Sequence, residues 1–172
     1  KKAMLLLFAA LLALFVSTAA MAAEAPFHIG IVTGTVSQSE DDLRGAELMI
    51  KKYGDVANGG MIQHLTYPDN FMSEMETTIS QIAGLADDPK MKVIVVNQAI
   101  PGTAEAFRRV KEKRKDILCF AGEAHEDPNV ITSVADMAIN ADFVSRGYLI
   151  IDTAKKLGCK TFVHISFPRH MR

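Results

Sequence analysis

The sequence has no tryptophan and only two cysteines among its 172 residues. Two cysteines cannot form the disulfide framework that holds small secreted domains together, so the fold must depend on a hydrophobic core. The Gly-x-Ser-x-Gly nucleophile motif, the phosphate loop that ends in Gly-Lys and the His-Glu-x-x-His metal motif are also absent. We therefore predict no catalytic residues, no cofactor and no metal site.

A strong excess of either charge is missing as well. The net charge is −1, and without the two N-terminal lysines the chain has 17 basic and 20 acidic residues. A slightly acidic domain is a poor partner for nucleic acids, whose phosphates proteins bind through clustered Lys and Arg. We expect no nucleic-acid partner.

The first 22 residues have the composition of a secretory signal peptide. Two lysines precede an apolar run over 3–16, and small residues lead to Ala-Met-Ala at 20–22. The apolar run is about fourteen residues long, shorter than the roughly 20 residues that a membrane-spanning helix needs. The pattern predicts that 1–22 is cleaved on export, that the protein is periplasmic or secreted in a bacterium, and that no membrane insertion follows cleavage.

From residue 27 onward, short apolar runs alternate with segments of helical periodicity. The run Lys92–Asn97 is rich in β-branched residues, which is typical of strands buried on both faces of a parallel sheet. Such alternation with short connections predicts an α/β fold with a doubly wound parallel sheet. The predicted strands are 27–33, 61–66, 92–97, 117–121, 130–134 and 161–165, and the predicted helices are 39–53, 70–86, 103–115 and 137–157.

In a doubly wound sheet, ligands bind outside the carboxyl ends of the strands. The loop after the first predicted strand offers hydroxyl groups, flexible backbone and a helix N-terminus, which suit oxygen-rich or anionic groups. The same residue types also serve an ordinary strand-to-helix turn, so both interpretations stay open. The candidate ligand-binding residues of this loop are Thr33, Gly34, Thr35 and Ser37.

Further candidates follow the next strands along the chain. Asn97 and Gln98 end the central strand, and their carboxamides both donate and accept hydrogen bonds, as recognition of a neutral polar ligand requires. Glu123 and His125 belong to an acidic loop that contacts the ligand, holds a metal ion or is simply solvated, and its residues lack the spacing of the helical metal motif. All four residues lie at the predicted ligand-binding edge of the sheet.

The last candidates, Arg169 and His170, follow the predicted strand 161–165. An Arg at the carboxyl end of a strand can hold a carboxylate or phosphate group through two parallel hydrogen bonds. No helix pattern follows them, so we expect the natural protein to continue beyond Arg172 and to cover this strand with further structure.

The order of these elements resembles the first lobe of type 1 periplasmic binding proteins over residues 27–172. The resemblance is one of element order and spacing. Within that fold, the last loop looks like that of an uncharacterised bacterial domain-of-unknown-function family. The segments that carry the resemblance are Ile29–Thr35, Arg44–Ala46, Asn97–Gln98, 130–134, 136–158 and, for the second family, Ser166–Met171.

This resemblance implies an N-terminal lobe over 27–136, followed by a crossover helix and the first strand of a truncated C-terminal lobe over 137–172. It implies an exported solute-binding protein that captures a small polar ligand between two lobes, for an ABC-type transporter with a membrane permease. Two alternatives stay open. One is an exported α/β enzyme whose catalytic residues lie beyond Arg172, and the other is a periplasmic receptor that serves a membrane sensor.

The signal peptide gives the first prediction. We expect export to remove 1–22, because the charged, apolar and small-residue regions stand in the order that signal peptidase recognises. The intact mass of protein recovered from the periplasm should correspond to an N-terminus at Ala23. Recovery in the membrane fraction with 1–22 still attached would contradict it.

Overall fold

The computed structural model describes residues 24–165, in which strands and helices alternate as the sequence pattern predicts. Short 3-10 helices follow the first two longer helices. The strands are β1 (His28–Thr33), β2 (Ile62–Thr66), β3 (Met91–Val96), β4 (Leu118–Gly122) and β5 (Met137–Ile139), and the helices are α1 (Val36–Tyr53), α2 (Met75–Gly84), α3 (Thr103–Lys113), α4 (Pro128–Thr132) and α5 (Phe143–Lys156).

The strands form one five-stranded sheet in the order β2-β1-β3-β4-β5, and every neighbouring pair is parallel. Helices cover both faces: α1 packs Ala46 against Ile31 and Ile62 on one side. On the other side, α2 and α3 pack residues such as Ile82 and Phe107 into the main core. The prediction of a doubly wound parallel α/β fold is confirmed.

One face of β3, β4 and β5 carries apolar side chains that face solvent. The parallel register places these residues side by side, because partners in neighbouring parallel strands point to the same face. Leu118, Met137 and Ile139 are 46%, 48% and 59% exposed. The residues of this face are Val93, Val95, Leu118, Phe120, Met137 and Ile139.

Two neighbouring predictions were wrong. Residues predicted as a strand over 130–134 form the helix α4, because Asp127 accepts a hydrogen bond from the Asn129 N–H at 2.8 Å and Pro128 occupies the first helical turn. These local start signals outweigh the β-branched residues that follow them. Residues 137–139, predicted as the start of a helix, form β5, which pairs with β4.

The C-terminal part of the described chain also differs from its prediction. Helix α5 begins at Phe143, where the Asp142 carboxylate accepts a hydrogen bond from the Ser145 N–H at 2.9 Å. The predicted strand 161–165 is wrong, because those residues form no sheet ladder and are exposed. A strand requires a neighbour for its backbone hydrogen bonds, and the prediction supplied none.

The chain divides into two compact units, with the boundary between Ile139 and Asn140. Since β5 belongs to the sheet, the first unit extends beyond residue 136, where the sequence placed the end of the first lobe. Helix α5 lies in the second unit and carries several exposed apolar side chains, including Val144 and Tyr148. Among residues 24–165, no helix combines the length and apolar character that crossing a membrane requires.

A pair of glycines joins α1 to β2. Gly54 ends α1 with φ at 78° and donates its N–H to the Ile50 carbonyl at 2.8 Å. A Cβ atom on Gly60 would lie 2.1 Å from the carbonyl carbon of Gly54, so the two backbones approach as closely as only glycine permits. This contact fixes where β2 enters the sheet.

We therefore expect Gly60→Ala to destabilise the protein by about 1–3 kcal/mol, because the added methyl group forces the backbone apart. Gly45→Ala is the matched control, since nothing lies within 4 Å of a Cβ atom at that position in α1. Alanine there should stabilise the helix by about 0.5–1 kcal/mol. Urea unfolding measures both values, and equal effects would contradict the close approach.

Candidate functional site

The strand order reverses between β1 and β3. From β1 the chain crosses through α1 to β2 on one side, and from β3 it crosses through α3 to β4 on the other. The loops that leave these two adjacent strands therefore diverge and open a crevice at the carboxyl edge of the sheet, where doubly wound proteins bind ligands. Gly34 and Asn97 follow directly on the two strands.

Asn97 and Gln98 are brought into a polar network with α1. The Asn97 amide donates to Asp42 Oδ1 at 3.0 Å, and the Gln98 amide donates to Ser39 Oγ at 3.0 Å. The single hydroxyl proton of Ser39 is in turn shared between two carboxylates, since Oγ lies 2.5 Å from Asp42 Oδ2 and 3.0 Å from Asp41 Oδ1. The network connects the end of the central strand with the first turns of α1.

Ser39 interrupts α1, since its φ of −161° and ψ of 83° lie outside the helical region. The side chain is buried, which directs Oγ toward Asp42 and Gln98. The spacing of Ser39 and Asp42 is that of a capping box, in which the Ser side chain accepts from a backbone N–H. In the structure the Ser39 hydroxyl instead forms hydrogen bonds with the carboxylates. The interruption of α1 places Ser39 and Asp42 at the crevice.

Two residues at this edge adopt the left-handed conformation that favours glycine. Gln98 has φ at 48° and Glu123 has φ at 45°. A non-glycine residue with this backbone conformation raises the energy of the folded state. It persists only where its surroundings fix it, often at functional sites. Gln98 is fixed by its bond to Ser39 and by the Ala99 N–H, which donates to the Gly122 carbonyl at 2.8 Å.

Tyr67 forms the buried wall of the crevice beneath the loop after β1. Its ring is 1% exposed, and its hydroxyl lies 3.5 Å from Gln98 Oε1. A Cβ atom on Gly34 would come within 2.9 Å of that hydroxyl, so a glycine is needed there for the loop to pass. Burial and, to a smaller extent, the Asp42 carboxylate raise the pKa of Tyr67 to about 12, which keeps the hydroxyl protonated at neutral pH.

Thr35 and Ser37 contact the neighbouring loop. Thr35 donates its hydroxyl proton to Asp69, and its oxygen lies 2.9 Å from Ser37 Oγ. Hydrogen bonds from Thr35 and Ser37 lower the pKa of Asp69. Thr33 is separate from this group, because its buried hydroxyl donates to the Gly34 carbonyl and lies 2.9 Å from Nε2 of His64.

The acidic loop after β4 serves mainly to cap helices. Glu126 accepts hydrogen bonds from the N–H groups of Gly102 at 3.1 Å and Ala104 at 2.8 Å, at the start of α3. The backbone N–H of His125 donates to the Ala99 carbonyl at 2.9 Å. The described residues contain no group of three or more His, Cys, Asp or Glu side chains arranged to hold a metal ion.

The structure thus joins Asn97 and Gln98 in one network and places Gly34, Thr35 and Ser37 beside it. Ligand contact by Glu123 and His125 stays a prediction. Arg169 and His170 lie outside the described residues.

Sequence reasoning missed three members of the network: Ser39, Asp42 and Tyr67. The only signals for them in the sequence were the Ser-x-x-Asp pattern and the position at the end of a strand.

The fold and this edge define a doubly wound α/β domain with the flavodoxin-like strand order and a polar site at the strand-order reversal. Its sequence belongs to the family described as "Protein of unknown function (DUF3798)", whose model matches residues 27–172. The anticipated likeness to an uncharacterised family is therefore confirmed, and the more specific likeness to periplasmic binding proteins stays a prediction.

Two proteins from one bacterial strain are similar to this chain in sequence. An uncharacterized protein of Treponema pallidum (strain Nichols) is 44% identical over 147 residues, which cover 84% of this chain and 66% of the relative. A second protein of that strain is 45% identical over 87 residues, or 51% of this chain and 40% of the relative.

A crystal structure from Clostridium difficile 630, described as a "Putative transcriptional regulator", has 29% identity and a TM-score of 0.69. The match covers 81% of this chain and 41% of that one. This chain therefore corresponds to 40–66% of the length of these three relatives.

Gly122 gives a test of the network. A Cβ atom there would lie 2.6 Å from Asn97 Oδ1, so Gly122→Ala should push the carboxamide away from Asp42. We expect the side-chain amide resonances of Asn97 to move in NMR spectra. Gly84→Ala is the control, because nothing lies within 4 Å of a Cβ atom at that position. Unchanged Asn97 resonances in Gly122→Ala would contradict this geometry.

Proposed function

We propose that the protein is an exported solute-binding protein that captures a small polar solute at the carboxyl edge of its first unit. The observation that supports this most directly is the network of Asn97, Gln98, Ser39 and Asp42 at the β1–β3 reversal. Hydrogen-bonding side chains at that point of a doubly wound sheet are where a ligand is held and oriented.

The chemistry of the network favours binding over catalysis. Its carboxamides and hydroxyl group exchange hydrogen bonds but do not take up or release protons near neutral pH. The Asp42 carboxylate is engaged as an acceptor by Ser39 and Asn97. Tyr67, with its pKa of about 12, also keeps its proton. Such groups discriminate between ligands by hydrogen-bond geometry, because a mismatched ligand leaves a buried polar group without its bond.

Export rests on the signal peptide pattern of 1–22 and leads to the partners that we propose. An exported protein that holds a small solute fits delivery to a membrane permease, with a membrane sensor as the alternative partner. The description of the Clostridium difficile relative favours a second function, an effector-binding domain of a regulator. That function requires the same solute site and a cytoplasmic location, so the intact-mass measurement separates the two.

The proposal predicts that the full-length protein retains a solute. Small molecules released from purified protein are identified by mass spectrometry, and the identified solute is then titrated by calorimetry. Gln98→Ala should weaken its binding by roughly fivefold to 150-fold, since a lost hydrogen bond at a half-buried site costs about 1–3 kcal/mol. Gln81→Ala is the matched control, because Gln81 is an exposed carboxamide on α2.

Gln81→Ala should change the affinity by less than about twofold, because an exposed side chain away from the site contributes little to binding. Equal effects of the two variants would place the solute elsewhere on the molecule. A full-length protein that releases no solute and that binds none in a screen of polar metabolites would contradict the proposed function itself.

A further inference from the structure

In the polar network at the strand-order reversal, the side-chain donors are used within the protein, and the groups left to contact a solute are hydrogen-bond acceptors. The Asn97 and Gln98 amide groups are already used to donate to Asp42 and Ser39. Ser39 donates to the carboxylates of Asp41 and Asp42. The atoms of these side chains that donate no proton are oxygens: the Asp42 carboxylate and the carbonyl oxygens of the two carboxamides, of which Gln98 Oε1 also accepts from the Tyr67 hydroxyl at 3.5 Å. Each of these oxygens has two lone pairs and can accept a further hydrogen bond.

The positions at which this edge would attract an anion are occupied by the protein's own carboxylates. Asp69 accepts the hydroxyl proton of Thr35 at the start of α1. Glu126 accepts from Gly102 and Ala104 at the start of α3. Glu126 thus satisfies backbone N–H groups of α3, and Asp69 places its charge beside the hydroxyl groups of Thr35 and Ser37 at the start of α1. A second negative group at either place would be repelled.

Charge is distributed in opposite ways at the two edges of the sheet. At the amino edge, carboxylates pair with cations: Asp87 with Lys113, Asp116 with Arg114, and Asp136 with Lys111. The segments at the carboxyl edge, 34–42, 67–74, 97–102 and 122–128, contain eight Asp and Glu residues and no Lys or Arg. The first of them includes the start of α1, where Arg44 follows and pairs with Glu40.

Among residues 24–165, the three aspartates nearest the crevice, Asp41, Asp42 and Asp69, have no ion-pair partner. Asp42 is half-buried, and a charge withdrawn from water without a counter-ion is costly. A positively charged solute group would supply that counter-ion.

We propose that the first unit binds a protonated amino group of the solute. This group donates hydrogen bonds to the Asp42 carboxylate, Asn97 Oδ1 and Gln98 Oε1. An ammonium group has three donors and no acceptor, and so complements an edge that presents acceptors. This inference rests on the proposed function, since it names the chemical class of ligand for the same site. It also assigns Asp42, which sequence reasoning did not single out, as the residue that determines specificity.

The test compares four-carbon probes that differ only in their end groups: 1,4-diaminobutane, 1,4-butanediol and succinate. Each is titrated into the full-length protein at constant ionic strength, and binding is followed through the NMR amide signals of Ser39–Asp42, Asn97 and Gln98. We expect the diamine to bind at least about tenfold more tightly than the diol, because a charged group at a poorly solvated carboxylate gains more than a neutral donor. Succinate should leave these signals unchanged.

Asp42→Asn should weaken diamine binding by at least roughly tenfold and change diol binding by less than about threefold, because it removes charge and keeps shape. Glu112→Gln, on the exposed surface of α3, removes a charge away from the site and should change neither. Salt gives a measurement on the unaltered protein. Raising the ionic strength from about 0.05 M to about 0.5 M should weaken diamine binding and leave diol binding unchanged.

The remaining outcomes overturn the inference. Succinate or the diol as the tightest probe at these signals overturns the amine class and leaves solute binding at the site standing. If magnesium chloride moves the same signals with equal or greater affinity than the diamine, the ligand class is a metal cation and not an amine. If no probe moves the signals at roughly 50 mM, an energy weaker than about −2 kcal/mol, the amine class is wrong. If the protein also releases no solute and binds none in the screen of polar metabolites, the proposed function fails with it.

Discussion

The parallel pairing of β1 with β3 is the constraint on which the rest of this structure depends. Ile29–Val32 pair with Val93–Val96 at the centre of the sheet, and the core on either side is built from their alternating side chains. Because the connections leave these strands in opposite directions, their ends cannot be covered by one helix. The crevice is thus a consequence of topology, and the core that stabilises the strands also positions Gly34, Asn97 and Gln98.

The network at the crevice depends on an interruption in α1. A regular helix from Val36 onward would keep the Ser39 hydroxyl near its own backbone. The extended conformation of Ser39 brings the hydroxyl to Gln98, 59 residues further along the chain, and aligns Asp42 with Asn97. The energy required for this break and for the left-handed Gln98 is supplied by the packed strands beneath them, an arrangement common at sites that hold a ligand.

The sequence predicts β1 to β4, α1 to α3 and the edge that carries the site, because these depend on local patterns: buried apolar runs, helical periodicity and glycine turns. It predicts a strand at Val130–Val134 wrongly, because Asp127-Pro128 is a stronger local signal. Ser39, Asp42 and Tyr67 were missed for a different reason. Their roles arise from contacts across 31 to 59 residues, and no local pattern records which distant side chain will meet them.

The apolar face formed by β3, β4 and β5 has a practical consequence. A fragment ending at Ile139 would contain the whole sheet and carry Leu118, Met137 and Ile139 side by side on one exposed surface. Surfaces of this kind associate with each other in water, because association removes apolar area from solvent in both partners. Self-association, rather than thermal stability, would then limit the concentration at which such a fragment can be studied. Polar substitutions on that face would raise this concentration without changing the crevice.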